Sequence, residues 1–320
     1  MSQNRTSSIG SCLADMALAM AGMLVPLRAT RSESVFSKIL FYFHILSLYK
    51  VELYQKTTKI RKAGLRIMTK VIMHGCNGKM GQTITAMCKE DPEIEIVAGI
   101  DLYDGIRNDY PVFPNISVCD VKADAVIDFS NAKAVDDLLI YCEEKQVPVV
   151  LCTTGLSEEQ LAKAKQVSEH VAVLKSANMS LGINMLMELL KKAALTLAPA
   201  GFDMEIVEKH HNQKLDAPSG TALALADSMN EALDEKYAYV YDRSRERKKR
   251  DKYEIGISAV RGGNIVGEHE VIFAGQDEVI EFKHTAYSKA VFAKGAVQAA
   301  KFLAGKPAGF YDMSDVIKAE

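Results

Sequence analysis

Cysteines are few in this 320-residue chain and are never paired in sequence. They show no CxxC pair and no regular spacing: Cys12, Cys76, Cys88, Cys119, Cys142 and Cys152. Structural zinc sites and disulfide frameworks both need such pairs at characteristic spacings. The sequence therefore indicates neither, and it fits a reduced, cytoplasmic setting.

The chain also lacks a large net charge of either sign. The formal net charge is -2, so the chain as a whole has no signature of nucleic-acid binding. Residues 243–250, RSRERKKR, are basic, but a solvated loop is the favoured interpretation over a nucleic-acid patch. Residues 1–67 hold ten Lys or Arg against three Asp or Glu, a net of +7, which leaves -9 for residues 68–320.

The chain lacks an apolar run long enough to cross a bilayer, which takes roughly 20 residues. Two shorter apolar patches near the start, CLADMALAMAGMLVPL and VFSKILFYFHILSLY, are interrupted by Asp15 and Lys38. No membrane partner is expected. We interpret residues 1–67 as an extension outside the fold or a mis-set start before Met68, with a basic, acid-poor transit peptide as the alternative.

From Met68 onward, short apolar runs alternate with amphipathic stretches. TKVIMHG and EIEIVAGID are predicted strands, and the further strands ADAVIDF, VPVVLC and VAVLK are largely apolar, as strands covered on both faces tend to be. Helical segments separate them, and one opens with a capping box from Ser157 to Gln160. This order predicts an α/β fold with a Rossmann-like, doubly wound parallel sheet.

The rhythm changes after the helical segment LGINMLMELLKKAALTL. The longer strands FDMEIVEKH, YEIGISAVR, IVGEHEVIFAG and EVIEFKHTA, with turn signals between the last three, predict a second α+β domain whose open mixed sheet meanders antiparallel. A closing helix, SKAVFAKGAVQAAKFL, is expected to return to the first domain. We therefore expect one domain at 68–178 and 291–320, and another at 179–290.

The first motif with chemical content is GCNGKMG, where Gly75, Gly78 and Gly81 lead from a strand into a helix. Glycines there let the backbone approach a pyrophosphate, whose charge a helix N-terminus favours. Asn77 stands near the place of the second glycine of GxGxxG and tolerates the left-handed conformation. Asp101 ends the next strand, where a carboxylate binds ribose hydroxyls. A dinucleotide site is predicted, and a glycine turn without function is the alternative.

The neighbour of Asp101 is Leu102, which brings no cation for a 2'-phosphate. NADH is therefore expected to be accepted at least as well as NADPH. Lys79 either reaches a phosphate or faces water.

The second motif, EKHHNQKLDAPSGTALALAD, puts proton-transfer groups directly before a helix N-terminus. Pro218 fits the first turn of that helix, and the amides of Ser219, Gly220 and Thr221 are then open to a carboxylate. In the same loop, Lys214 adds a positive charge. His210, with a reference pKa of about 6.5, supplies a proton near neutral pH.

A metal site is the less favoured interpretation of the histidines. His210 and His211 are adjacent, so their side chains diverge in an extended chain. Further ligands would have to come from elsewhere, such as His269 or His284, and no HxH or HExxH spacing occurs. No bound metal is expected.

These motifs, together with TTG at 153–155, SANMSLGIN at 176–184 and RGGNIVGEHEVIF at 261–273, resemble the 4-hydroxy-tetrahydrodipicolinate (dihydrodipicolinate) reductase family. The resemblance covers residues 68–320, and its HHxxKxDAPSGTA segment is highly specific. It implies NAD(P)H-dependent reduction of a small cyclic imine with two carboxylates, in diaminopimelate and lysine biosynthesis. It also implies NADH and/or NADPH as cofactor and a homotetramer joined through the second-domain sheets.

The resemblance implies roles for particular residues. His210 is the proton donor and Lys214 assists it, while His211, Gly220 and Thr221 contact the substrate. Cofactor contacts are implied for Gly75, Cys76, Asn77, Gly78, Lys79, Met80, Asp101, Cys152, Thr153, Thr154, Ser176, Ala177, Asn178 and Met179.

Three positions depart from the family pattern. Cys152 stands where glycine is usual, Met179 where phenylalanine is usual, and Leu102 where some members have arginine. They leave the choice between NADH and NADPH open. Three other functions stay open: a related dehydrogenase of another amino-acid intermediate, metal-dependent hydrolysis, and a catalytically silent nucleotide-binding sensor, which would need neither HHxxK nor SGT.

Overall fold

The computed structural model describes residues 68–241, 243–245 and 247–319. The interpretations of residues 1–67 lie outside the described residues. Within these ranges, no helix is long and apolar enough to span a membrane.

The described residues alternate between strands and helices along most of their length. In chain order the strands are β1 (Thr69–His74), β2 (Ile94–Ile100), β3 (Val112–Phe113), β4 (Ala125–Asp128), β5 (Val149–Leu151), β6 (Ala172–Leu174), β7 (Asp203–His210), β8 (Ala238–Val240), β9 (Glu254–Arg261), β10 (Gly267–Ala274), β11 (Val279–Ala286) and β12 (Gly309–Tyr311). The α-helices are α1 (Lys79–Glu90), α2 (Val135–Lys145), α3 (Glu158–Val167), α4 (Leu181–Leu197), α5 (Gly220–Ala232), α6 (Ala290–Leu303) and α7 (Met313–Lys318).

The first sheet is parallel, with the strand order β12-β6-β5-β4-β1-β2-β3. The chain runs outward from β1 in one direction and then from β4 in the other, which confirms the predicted doubly wound arrangement. The sequence did not reveal β3 and β12, because two or three residues are too few to show a strand pattern.

Apolar side chains cover both faces of the first sheet. On one face, Val71 packs with Ile84 of α1 and Ala296 of α6. On the other face, Ile72 packs with Leu138 of α2. Double burial is the reason that most positions of these strands are apolar, while Lys70 and Glu95 are exposed. The predicted capping box at Ser157 is present at the start of α3.

The second sheet is mixed, with the strand order β11-β10-β7-β9-β8. The predicted antiparallel meander is wrong for β9 and β10, because β7 lies between them and runs parallel to β9. The turn after β9 therefore crosses the end of β7 and does not close a hairpin. Gly262 N donates to His210 O at 2.9 Å, and Asn212 N donates to Gly263 O at 3.2 Å. Only tertiary packing selects this order, since both arrangements suit the same apolar alternation.

β7 is the central strand of the second sheet and alternates between a buried and a more exposed face. Met204 and Ile206 pack under α4 and α5. Because strand side chains alternate with a period of two, Glu208 and His210 lie on the same buried face. A carboxylate and an imidazole thus enter the interior at the end of a core strand.

The basic segment at 243–250 is exposed at its described positions, except for the half-buried Arg250, as a solvated loop would be, but two of its arginines also form ion pairs with the second sheet. Arg243 Nη1 lies 2.7 Å from Glu254 Oε2, and Arg243 Nη2 lies 2.7 Å from Glu205 Oε1. Arg250 Nε also donates to Glu205, at 3.1 Å. The segment folds back on the second sheet because that sheet presents acidic side chains to it.

Candidate active site

The glycine loop joins β1 to α1 at the carboxyl edge of the first sheet. Gly75 has a φ of +81°, and a Cβ there would lie 2.6 Å from Phe129 O. A Cβ at Gly81 would lie 2.2 Å from Gly75 O, so both positions require glycine. After Gly78, α1 begins with no side-chain cap and no acidic residue in its first turn. Its first amides favour an anion.

The backbone conformation of Asn77 differs from the predicted one. Its φ is not positive, so it needs no tolerance of the left-handed conformation. Its backbone amide donates to Asp101 Oδ2 at 2.9 Å. Its side-chain amide donates to Tyr103 O and accepts from Asn108 Nδ2, the latter at 2.8 Å. Asn77 therefore holds the loop after β2 against the glycine loop.

Asp101 directly follows β2 and lines a cavity of about 520 Å³. Gly75 and Gly78 line the same cavity. Leu102 is 88% exposed beside it and brings no charge. Lys133, a residue that no sequence motif marks, supplies a cation in this cavity.

A second cavity of about 750 Å³ collects residues from separate segments of the chain. Those expected to contact a cofactor are Met80, Cys152, Thr153, Thr154, Ser176, Ala177, Asn178 and Met179. Phe129 and Ser130 line both cavities, which therefore adjoin. Together the cavities form an extended cleft at the carboxyl ends of the parallel strands, where doubly wound folds bind their ligands.

Some of the expected cofactor residues do not line this cleft. The side chain of Cys76 is fully buried in the core under the loop, so a cofactor contact from this residue comes from its backbone. Burial raises the pKa of the Cys76 thiol to about 11, and burial raises the pKa of the Cys152 thiol as well. Lys79 is exposed on the first turn of α1, and neither cavity includes it.

A buried pair beneath the cleft was not expected from the sequence. Asp128, at the end of β4, is fully buried, and His74 Nδ1 lies 3.0 Å from its Oδ1. Ser130 donates to the same oxygen at 2.6 Å. Burial acts to raise the pKa of Asp128, but hydrogen bonds from His74 and Ser130 outweigh it and hold the pKa below its usual value. An ionised carboxylate thus lies beneath the cleft, out of contact with it.

The second part of the site is built around Glu208, which is fully buried. His210 Nδ1 lies 2.6 Å from Glu208 Oε2, and Ser219 N donates to Glu208 Oε1 at 2.9 Å. Arg261 donates to both oxygens, at 2.6 and 2.8 Å. Sequence reasoning missed this role of Glu208 and Arg261. The period-two spacing of Glu208 and His210 was the available signal.

The residues around His210 shift its pKa in opposite directions. Burial lowers its pKa, Glu208 acts to raise it, and Lys214 and Arg261 lower it further. The net direction is downward, so His210 without a bound anion is more readily neutral than an exposed histidine. His269 lies edge-on to His210, with ring centroids 5.1 Å apart.

The N-terminus of α5, called its mouth from here on and formed by Ser219, Gly220 and Thr221, differs in detail from the prediction. Pro218 is not in the first turn but precedes the N-cap residue, Ser219. Ser219 Oγ accepts from Ala222 N at 3.2 Å and lies 3.1 Å from His269 Nε2. Since the Ser219 amide is occupied by Glu208, the next amides at the mouth are those of Gly220, which acts on Asp216, and Thr221.

Lys214 is paired with a carboxylate of its own loop. Its Nζ lies 2.8 Å from Asp216 Oδ1, and this contact lowers the pKa of Asp216. The amide of Gly220 acts on the same carboxylate. Asp216 therefore stands where the sequence predicts that a ligand carboxylate binds.

His211 follows β7 and lies between buried and exposed in its accessibility. Its Nδ1 is buried and has no hydrogen-bond partner among the described residues. The surrounding residues close this nitrogen off from the surface. His210 is the more deeply buried of the adjacent pair, which agrees with the predicted divergence of their side chains.

The two parts of the site meet at Asn178. Its Nδ2 donates to Thr221 Oγ1 at 2.9 Å, and its Oδ1 accepts from Ser180 N at 2.8 Å. Asn184 of α4 donates to Asn178 O at 2.7 Å, which fixes the backbone of this segment. A residue that lines the larger cavity is thus bonded directly to the mouth of α5.

A dinucleotide cleft on a doubly wound sheet, joined to an anion-binding helix mouth with a buried imidazole, defines a nicotinamide-dependent oxidoreductase. Comparison with known families supports this class. A model described as "Dihydrodipicolinate reductase, N-terminus" matches residues 69–179, and one described as "Dihydrodipicolinate reductase, C-terminus" matches residues 182–317. The chain belongs to the dihydrodipicolinate reductase family.

Curated relatives carry the same family name. The chain is 52% identical over 254 residues to the 4-hydroxy-tetrahydrodipicolinate reductase of Clostridium novyi (strain NT), across 79% of this chain and 100% of the relative. It is 51% identical over 252 residues to that of Caldanaerobacter subterraneus subsp. tengcongensis, across 79% and 99%.

A solved structure has the same fold. Dihydrodipicolinate reductase from Paenisporosarcina sp. TG-14, with dipicolinate bound, aligns with a TM-score of 0.65 and 24% identity. The alignment covers 77% of this chain and 97% of that one.

Proposed function

We propose that this protein catalyses the NAD(P)H-dependent reduction of 4-hydroxy-tetrahydrodipicolinate in diaminopimelate and lysine biosynthesis. The observation that carries the proposal is the 2.9 Å hydrogen bond from Asn178 to Thr221. It joins the segment expected to contact the cofactor to the helix mouth expected to hold the substrate. Hydride transfer requires two bound molecules in contact, and this junction supports that arrangement.

The residues of the cleft fit a nicotinamide dinucleotide. The glycine loop leaves no room for side chains and opens onto the N-terminus of α1, which suits a pyrophosphate. Asp101 suits the adenosine ribose at one end, and Asn178 and Met179 line the other end. When bound, the nicotinamide supplies the hydride.

The cofactor is NADH and/or NADPH in this proposal, with NADH accepted at least as well. The carboxylate of Asp101 repels a 2'-phosphate, and Leu102 offers no charge to attract one. Lys133 lines the same cavity and partly offsets that repulsion. Steady-state kinetics with each cofactor decide the ratio.

The substrate is a small cyclic imine with two carboxylates. One carboxylate accepts from the amides of Gly220 and Thr221, where the partial positive charge of α5 adds to the attraction. His211 offers a further donor. Lys214 exchanges Asp216 for this carboxylate, so one ion pair replaces another.

His210 donates the proton that completes the reduction, and Lys214 assists it. Burial and two nearby cations lower the pKa of His210 in the free protein. A bound dianion brings two negative charges close to the imidazole and raises its pKa. The donor is thus protonated when substrate is present.

Several wider expectations belong to the same proposal. Residues 68–178 and 291–320 act as the dinucleotide-binding domain, and residues 179–290 act as the substrate-binding and oligomerisation domain. A homotetramer forms through the second sheets, whose edge strands are open to pairing. The reaction takes place in the cytoplasm, and neither nucleic acid nor membrane takes part.

The test is consumption of NADH and NADPH with freshly generated 4-hydroxy-tetrahydrodipicolinate, followed by the loss of absorbance of the reduced cofactor. His210→Ala and Lys214→Ala are expected to lower kcat at least about 100-fold, as loss of a general acid does. Calorimetric titration should give NADH affinities within about threefold of the unmodified protein, because neither residue lines the dinucleotide cleft.

Each alternative function gives a different result. Cofactor binding without any consumption favours the silent sensor. Consumption only with another amino-acid intermediate favours a related dehydrogenase. Near-normal turnover in both alanine variants contradicts the roles given to His210 and Lys214.

A further inference from the structure

The carboxylate of Glu208 has a single possible orientation. Oε1 accepts from Ser219 N and from Arg261 Nη2, while Oε2 accepts from Arg261 Nη1 and lies 2.6 Å from His210 Nδ1. Glu208 is fully buried, and Arg261 grips it in a bidentate, charge-assisted pair. A second hydrogen bond from Arg261, 2.6 Å to Asp216 O, ties the guanidinium to the Lys214 loop. No freedom remains for the carboxylate to turn away from His210.

We propose that Glu208, held by Arg261, is the positioning residue that keeps the Nδ1–H of His210 pointing inward, so that Nε2 is the atom that gives up the proton. An ionised carboxylate only accepts hydrogen bonds, so Nδ1 carries hydrogen in both protonation states of the ring. The proton leaves from Nε2 to the substrate carbon. The neutral ring keeps its Nδ1–H bond, and Nε2 takes a proton from solvent before the next turnover. This inference rests on the proposed function.

Gly267 provides the space that this arrangement needs. It begins β10, and a Cβ atom built there would lie 3.2 Å from His210 Nε2 and 3.5 Å from His210 Cδ2. The Nε2 edge of the ring therefore faces a position without a side chain. The Nδ1 edge faces Glu208. The two ring nitrogens of His210 thus have different neighbours: Glu208 beside Nδ1 and Gly267 beside Nε2.

Glu208 orients the imidazole of His210 more than it raises the pKa of that ring. The groups facing His210 are Glu208, Arg261, Lys214 and His269. The positive charge of Arg261 cancels the charge of Glu208, so their pair leaves little net charge beside the ring. Directional hydrogen bonding survives that cancellation, and it selects the tautomer.

Glu208→Gln tests the proposal because it keeps the shape and alters only the acceptors. An amide presents one oxygen and one NH2, whereas the site offers donors to both positions. In one orientation the NH2 group takes the place of Oε1 and faces Arg261 and Ser219. In the other it takes the place of Oε2 and faces Arg261 and His210. In that second orientation it donates to Nδ1, so the neutral ring of His210 takes the Nε2–H tautomer. We expect kcat to fall about 100-fold and KM to change less than about threefold.

The pH profile separates positioning from general damage. Reduction requires protonated His210, so kcat falls as pH rises through the pKa of this group in the substrate complex. Loss of the Glu208 carboxylate lowers that pKa, and the basic limb of the kcat profile moves to lower pH. A merely structural ion pair would change the amount of active protein and leave the limb in place.

Glu205→Gln is the control variant. Glu205 lies on the same strand and pairs with two arginines, Arg243 at 2.7 Å and Arg250 at 3.1 Å, but it does not contact a histidine. We expect its kcat to stay within about threefold of the unmodified protein. If Glu208→Gln matches Glu205→Gln in both kcat and pH profile, the proposal is overturned.

Gly267→Ala tests the Nε2 side without touching the ion pair. Its methyl group would crowd the proton-donating edge, and kcat is expected to fall at least about 10-fold. Gly262→Ala, where an added Cβ meets nothing within 4 Å, is the control. Equal turnover in the two alanine variants contradicts the geometry. If Glu208→Gln does not fold, the comparison of Gly267→Ala with Gly262→Ala tests the proposal in its place.

Nitrogen-15 NMR of the unmodified protein gives a readout that needs no substrate. At a pH where His210 is neutral, the Nδ1–H tautomer supports the proposal and the Nε2–H tautomer overturns it. Failure of the proposed reduction would appear as absent cofactor consumption by the unmodified protein. The tautomer is measured independently of that result.

Discussion

At the residue scale, the site depends on a few atoms held by neighbours distant in sequence. Glu208 lies eleven positions before Ser219 and fifty-three before Arg261, yet both donate to it. Gly75 is equally constrained, since the backbone of Phe129, directly after β4, closes the space beside it. Such positions tolerate little change because no local rearrangement restores the lost contact.

Gly75→Ala is expected to destabilise the protein by about 2 to 3 kcal/mol, because it combines a φ of +81° with a Cβ placed 2.6 Å from Phe129 O. Gly305→Ala is the control, with a φ of +75° and nothing within 4 Å. That variant should lose about 1 kcal/mol, the cost of the left-handed conformation alone. Urea unfolding of both variants makes the comparison. Equal losses would show that the loop relaxes around the added methyl.

At the element scale, the N-terminus of α5 connects the sheet interior to the proposed substrate site. Its N-cap residue, Ser219, bonds the amide of Ala222, lies within hydrogen-bond distance of His269, and gives its own amide to Glu208. One residue thus begins a helix and holds the Glu208 carboxylate. The N-terminus of α5 therefore has a structural role in addition to the partial positive charge of its helix dipole.

Ser219→Ala is expected to cost about 1 kcal/mol of unfolding free energy, as loss of an N-cap does, and to raise KM for the substrate several-fold. Ser157→Ala is the matched control, because Ser157 caps α3 on the first sheet with a hydrogen bond to Gln160 N. It should show a similar stability loss with KM unchanged. Chemical denaturation and steady-state kinetics measure the two effects. An unchanged KM in Ser219→Ala contradicts a substrate site at this mouth.

At the scale of the whole molecule, buried histidines make stability depend on pH. Burial lowers the pKa of His269 from 6.5 to about 4, and His210 contributes to the shift. The unfolded chain binds a proton near pH 6.5, and the folded chain binds it only near pH 4. Between these values the unfolded state holds more protons, so stability falls as the pH falls.

The loss attributable to His269 is about 3 kcal/mol between pH 6.5 and pH 4, at about 1.4 kcal/mol for each pKa unit. Urea unfolding at several pH values in this window measures it. His269→Gln should show a shallower dependence than the unmodified protein. His170→Gln, which removes an exposed histidine, controls for the loss of a histidine as such. Identical slopes for His269→Gln and the unmodified protein would contradict a protonation cost at this site.

The sequence predicted the elements better than their arrangement. The glycine loop, the capping box at Ser157 and the helix after Pro218 follow from local patterns of a few residues, and all are present. The neighbour of β9 could not be predicted the same way. Alternation of apolar residues states which face of a strand is buried, but it does not state which strand lies beside it.

The sequence by itself determined the doubly wound sheet, the glycine loop and the helix mouth, because backbone sterics and apolar periodicity act over short stretches of chain. Tertiary structure alone decided that β7 lies between β9 and β10, that Arg261 holds the carboxylate of Glu208 beside His210, and that Asn178 bonds Thr221. These features join residues far apart along the chain. Their energies depend on packing and burial that exist only once both sheets have formed.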